Sequence, residues 1–166
     1  MVKIKQGTHS SFKFPSLVIG EDRMVYKVKF TPSCTYDIGI NDQLDINKLF
    51  GVGYFPHHHK NSVRFGWRYD IQMGAIEILA YYYADGHRMY EHVCYVNIGT
   101  NYAFVLHILP DGHLFTVIDD DAKYIAGDLL INHVKGRNLG YALHPSFGGN
   151  QKAPHDIYID MKKVKE

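Results

Sequence analysis

Two hairpin marks constrain this chain more than any other feature. The segments 76–83 and 88–97, rich in Ile, Tyr and Val, flank Ala84-Asp85-Gly86-His87. Asp-Gly between two β-forming runs predicts a two-residue turn, because that turn needs positive φ at its centre. Directly after it, 102–109 and 113–118 flank Pro110-Asp111-Gly112. There proline presets one turn residue and glycine supplies the other. The four segments together read as a four-stranded meander.

Period-two alternation extends the same reading. In 24–31, Val25, Lys27 and Lys29 fall on one face, with Met24, Tyr26, Val28 and Phe30 on the other. In 63–70, Val63, Phe65, Trp67 and Tyr69 alternate with Arg64, Gly66, Arg68 and Asp70. In 155–161, Ile157, Ile159 and Met161 alternate with Asp156, Tyr158 and Asp160. Helical period is weak: 45–50, or 122–133 with its Gly127, could supply a turn or two. An aromatic content of 14%, from 13 Tyr, 9 Phe and one Trp, favours pleated, half-buried surfaces. The expected fold is all-β, an antiparallel β-sandwich of jelly-roll type with at most short helices and about eight to ten strands. A length of 166 residues suits one sandwich domain over 1–166. The closing Lys162-Lys163-Val164-Lys165-Glu166 reads as a flexible, solvated tail.

Charge excludes several partners. With 18 Lys and Arg against 17 Asp and Glu, the net charge is +1. No global field holds duplex nucleic acid or an anionic membrane, so any anion site is local. Cys34 and Cys94 form neither a zinc pattern nor a disulfide framework and read as reduced, buried thiols. The basic start lacks the apolar run of about seven or more residues that a secretory signal needs. No stretch approaches membrane-spanning length either, so the expected location is cytoplasmic. Free edge strands can pair across a two-fold as readily as they can be capped, which leaves a homo-oligomer open.

The densest polar cluster runs from Tyr54 to Arg68 and holds three histidines, a lysine, two arginines, an amide and four aromatic residues. That mix grips a polar or anionic ligand against flat rings. If the alternation holds, Arg64 and Arg68 share a face, roughly 13 Å apart at about 3.3 Å per residue, a spacing suited to an extended ligand. The bland alternative makes Phe65 and Trp67 core and leaves the arginines solvated or ion-paired. His57 and His59 would point the same way in an extended segment, but no third ligand accompanies them. Asp119-Asp120-Asp121 with Asp128 lacks the alternating calcium pattern. No metal and no cofactor are therefore expected. Gly148 and Gly149 lie in a tight loop, and neither GxxxxGK[ST] nor GxGxxG occurs. Glu77, Glu91, His92 and His107 sit on or near central strands. Without GxSxG, HExxH or a carboxylate pair they read as satisfied polar groups, and no catalytic residue is assigned.

Two stretches, His-His-Lys-Asn-Ser-Val-Arg-Phe-Gly-Trp-Arg at 58–68 and Phe-Gly-Gly-Asn-Gln-Lys-Ala-Pro-His-Asp-Ile at 147–157, carry a resemblance. With the strand at 76–83 they resemble a family of small, mostly uncharacterised proteins of bacteria and their phages, over most of 49–161. The closing Gly-Gly-Asn and Ala-Pro-His-Asp-Ile is also similar to the last strands of concanavalin-type jelly rolls, which include glycan-binding modules and polysaccharide lyases. That likeness implies the fold and makes His155 a strand-entry residue.

The leading expectation is a non-catalytic domain that binds a polar or anionic small ligand through His58, His59, Lys60, Asn61, Arg64, Trp67 and Arg68, closed by the loop at Asn150. An acidic sugar fits the jelly-roll likeness. A nucleotide-like signal fits a cytoplasmic basic-aromatic pocket with Trp67 or a tyrosine stacking the base, and a phage protein would sequester such a host signal. The alternatives are a polysaccharide lyase-like enzyme and a structural or protein-interaction module.

Overall fold

The computed structural model describes residues 1–10 and 16–164. Its strands in chain order are β1 Val2–Ile4, β2 Leu17–Ile19, β3 Arg23–Phe30, β4 Asn47–Gly53, β5 Ser62–Asp70 and β6 Ala75–Ala84. There follow β7 His87–Val96, β8 Tyr102–Leu109, β9 Gly112–Asp119, β10 Tyr124–Ile131, β11 Leu139–Leu143 and β12 Ile157–Lys163. One 3-10 turn, Pro32–Cys34, interrupts them. The strands form two antiparallel six-stranded sheets, ordered β1-β12-β3-β8-β9-β10 and β2-β11-β4-β5-β6-β7. This is the expected sandwich. Among the described residues no helix is long and apolar enough to cross a membrane.

The Asp-Gly hairpin forms as read: Ala84 pairs with His87 across Asp85 and Gly86, whose φ values are 48° and 87°. The next hairpin turns on Pro110 and Asp111, with Leu109 opposite Gly112. Gly112 is already strand, and a Cβ there would meet the Ile131 carbonyl oxygen at 2.4 Å. Close approach, and not turn geometry, is what demands a glycine at that position.

Three expectations are corrected. The four-strand meander is two hairpins on different sheets, since β7 ends one sheet while β8 inserts between β3 and β9. β8 is buried on nearly every position and needs covered faces and two neighbours, whereas β7 is mostly exposed and suits an edge. The segments 45–50 and 122–133 are not helical but contribute to β4 and β10, both of which carry register shifts. Residues 162 and 163 belong to no tail: Lys162 pairs with Lys27 and Lys163 with Tyr26, and Lys163 Nζ lies 3.0 Å from Glu21. Residues 165 and 166 lie outside the described residues.

The core between the sheets is aromatic. The Phe65 ring lies 5.0 Å from Phe104 and 4.8 Å from Phe115, and Phe30 lies 5.4 Å from Trp67. Each fully buried ring of this kind contributes about 2–3 kcal/mol through the apolar surface it removes from water. This packed layer covers one face of β5 and β6, and their other face carries Arg64, Arg68, Glu77 and Tyr81.

Candidate functional site

Alternation along β5 sends Val63, Phe65 and Trp67 into the core and Arg64, Gly66 and Arg68 to the outer face of the β2–β7 sheet. Register then supplies their neighbours. On β6, Tyr83 opposes Ser62, Tyr81 opposes Arg64, Leu79 opposes Gly66 and Glu77 opposes Arg68. On β4, Gly51 opposes Arg64 and Lys48 opposes Gly66. Trp67 must be withdrawn from the predicted site. It is 0% exposed and packs on Phe30 and Tyr36, on the side of the strand opposite both arginines.

Arg64 is the centre of the arrangement. It is only 8% exposed, and its Nε has no hydrogen-bond partner. The guanidinium carbon lies 5.8 Å from the centroid of Tyr81, whose ring also receives Lys48 Nζ at 4.7 Å. Across the sheet, exposed Arg88 lies opposite Tyr83. Among the described residues none of these three cations forms an ion pair with a carboxylate. Burial, then the charges of Arg64 and Arg88, pull the Lys48 amine down to about 8, against a smaller opposing effect of Asp45. Burial likewise lowers Arg64, although a guanidinium keeps its proton at neutral pH. Burial and a hydrogen bond with Tyr83 push the Tyr81 phenol up to about 12.

The rim comes from the 54–61 loop. His58 Nδ1 lies 3.3 Å from the Tyr141 hydroxyl, and the His58 and His59 rings are 4.4 Å apart. Gly53 makes this possible, because a Cβ there would sit 2.8 Å from the Tyr141 ring and 3.0 Å from His58 Cβ. Burial, then the charge of Arg64, pulls His58 down to about 4, so its imidazole is neutral near pH 7. His59 packs edge-on to Tyr83 at 5.2 Å. Lys60 and Asn61 serve the hairpin tip: the Lys60 carbonyl accepts from Gly86 N at 2.9 Å and Asn61 Oδ1 from Asp85 N at 3.1 Å. Among the described residues no three His, Cys, Asp or Glu side chains gather to hold a metal ion.

Arg68 has a different environment. Its Nε donates to Glu77 Oε2 at 2.6 Å and one terminal nitrogen donates to the Leu44 carbonyl at 2.9 Å. Glu77 Oε1 lies 2.9 Å from His92 Nδ1. Asn150 is exposed and sits in the loop where Gly149 abuts Asp45 and Gln151 Nε2 donates to Asp42, beyond the Lys48 side of the face. The structure therefore brings His58, His59 and Arg64 together. It gives Lys60 and Asn61 a turn-holding role, ties Arg68 into an ion pair, and adds Lys48, Tyr81, Tyr83, Arg88 and Tyr141, which sequence reasoning did not select. Alternation along β6, which sets Tyr81 and Tyr83 on one face, was the available signal for that pair.

No family model matches the chain, and no curated protein matches it. Solved structures do. The alginate lyase from Klebsiella pneumoniae superposes with a TM-score of 0.59 at 8% identity, over 89% of this chain and 61% of that one. Scytalido-glutamic peptidase, solved with a peptide-based transition-state analog, gives 0.53 at 9% identity over 96% and 80%. The enzymatically active domain of bacteriophage CBA120 tailspike protein 2 gives 0.51 at 12% identity over 87% and 23%. The chain thus spans less than two thirds of the lyase and of the tailspike domain. At these identities the likeness establishes the fold, a two-sheet jelly-roll-type sandwich.

Proposed function

We propose that this protein binds an acidic carbohydrate on the outer face of the β2–β7 sheet and does not transform it. One observation carries the reading: Arg64 is 8% exposed, its Nε is unpartnered, and among the described residues no carboxylate forms an ion pair with it or with Lys48. An unpaired buried charge costs several kcal/mol, so the fold tolerates Arg64 best when a ligand supplies the anion. Planar guanidinium geometry suits a carboxylate or sulfate held by two parallel hydrogen bonds. The fold shared with an alginate lyase supports a sugar ligand. A nucleotide-like ligand is less well served, because Trp67 faces the core and both cations already lie over Tyr81.

Calorimetric titration with uronate-containing and neutral oligosaccharides of equal length tests the proposal. Binding of the acidic set alone, weakening with added salt and lost in Arg64→Met, is the expected result. Equal binding of neutral sugars, or retained binding in the variant, overturns it. A polysaccharide lyase reading draws on one further observation, the Lys48 amine at about 8, partly unprotonated at mildly basic pH beside a carboxylate clamp. There Lys48 would take the proton α to the carboxylate as the β C–O bond breaks, leaving a double bond, and the departing oxygen would take a proton from solvent. Growth of the ultraviolet absorbance of that unsaturated product during incubation would select the lyase over the binder.

A further inference from the structure

Four residues beyond Arg64 on β5, the same face becomes anionic. A cavity of about 610 Å³ opens there, lined by Arg68, Glu77, Asp70 and Asp37 with Gln43 and Tyr95. Its one guanidinium is already engaged by Glu77, whose side chain is 9% exposed. The second Glu77 oxygen faces His92, and Asp70 Oδ2 accepts from the Tyr95 hydroxyl at 3.1 Å. Three carboxylates against one committed arginine make this end hostile to a second ligand anion. It remains well supplied with acceptors for hydroxyl protons. Ile40, 90% exposed, together with Leu44 and Ile71 adds apolar wall. Between the two ends Ile46 leans over Gly66, its Cγ2 2.6 Å from where a Cβ would stand, and packs with Leu79 and Tyr81.

Resting on the carbohydrate reading above, we infer that the ligand is a mixed polymer in which a charged sugar is followed, about 13 Å along the strand, by an uncharged one. The charged ring sits at Lys48 and Arg64, the apolar face of the intervening ring crosses Ile46 and Leu79, and the neutral ring enters the Glu77 cavity. Hydroxyls of that ring donate to Asp70 and Glu77, while its C–H face meets Leu44 and Ile40. Discrimination comes from repulsion: a homopolymer of uronates places its second carboxylate against Asp37, Asp70 and Glu77.

The test compares an oligogalacturonate, a gellan fragment in which each glucuronate is followed by three neutral rings, and a cello-oligosaccharide of equal length by calorimetric titration. The mixed fragment is expected to bind at least tenfold tighter than the homopolyuronate. The variant Asp37→Asn, which leaves Asp70 and the Arg68–Glu77 pair intact, should tighten the homopolyuronate several-fold and leave the mixed fragment unchanged. A homopolyuronate that binds wild type as tightly as the mixed fragment, or gains nothing in the Asp37→Asn variant, overturns this inference and leaves the acidic-carbohydrate reading standing. Equal binding of the cello-oligosaccharide, or no binding of either acidic ligand, overturns both.

Discussion

Arg64 and Arg68 leave the same strand on the same face, four residues apart, and behave as different chemical objects. Tyr81 stands across the ladder from Arg64, and Glu77 stands across from Arg68. The first arginine is buried with no carboxylate paired to it among the described residues, and the second is held at 2.6 Å by a carboxylate. Residue type and strand are identical in the two cases, so the cross-strand neighbour decides whether a guanidinium is held in an ion pair or left over a tyrosine ring. The pattern of unsatisfied against satisfied charge, more than the density of basic residues, is what singles out Arg64 for the proposed anion site.

Substitution should split the pair most visibly in binding. Arg64→Met is expected to weaken an acidic oligosaccharide by about 3 kcal/mol, as truncation of a buried charge partner does. The same change should leave thermal unfolding of the unliganded protein unchanged or raise it, since an apolar side chain replaces an unpaired charge. Arg68→Met should do the reverse. Leaving Glu77 without its partner costs about 2 kcal/mol in chemical denaturation, part of the full burial penalty being relieved by the 18% exposure of the arginine. A loss of stability in the Arg64 variant equal to that in the Arg68 variant would erase the distinction.

Acidity gives a smaller contrast. Lys48 is charged below about 8 and neutral above it, and a bound anion raises its pKa. Affinity should therefore be fully present on the acid side and fall as pH rises through about 8, by up to tenfold per unit, about 1.4 kcal/mol. Stability of the free protein runs the other way. The amine is depressed in the fold from 10.5, so the unfolded chain binds the extra proton and stability rises between about 8 and 10.5. Least of all should Asn150→Ala matter: exposed, and without a side-chain hydrogen bond among the described residues, it is expected to change binding and stability by less than about 0.5 kcal/mol.

Much of the outer face was legible from alternation alone. The common face of Arg64 and Arg68 follows from period two, and the same period assigns Trp67 to the core, so its inclusion in the site set composition above geometry. The pairing partners were not legible. Which β6 residue opposes which arginine depends on the β5–β6 register, set by the turn at 71–74 and not by any residue in the cluster. Lys48 was hidden for another reason. A register shift between Lys48 and Gly51 places Leu49 and Phe50 both in the core, which breaks alternation and makes 45–50 resemble a helical fragment. β10 was obscured in the same way by its shift between Ile125 and Gly127. Bulges that bend a strand also erase its signature.

The two hydrogen bonds that bind Lys60 and Asn61 to the Asp85-Gly86 tip have a bearing on how such a scaffold can diversify. Lengthening that hairpin would cut the histidine rim loose from the sheet, so insertions there would trade away the rim that frames Arg64. The wall formed by 37–45, at the far end of the face, carries no such staple to the hairpin. On the proposed carbohydrate reading, a change at the exposed Ile40 of that wall would alter the neutral end of the face and leave Arg64 and Lys48 untouched.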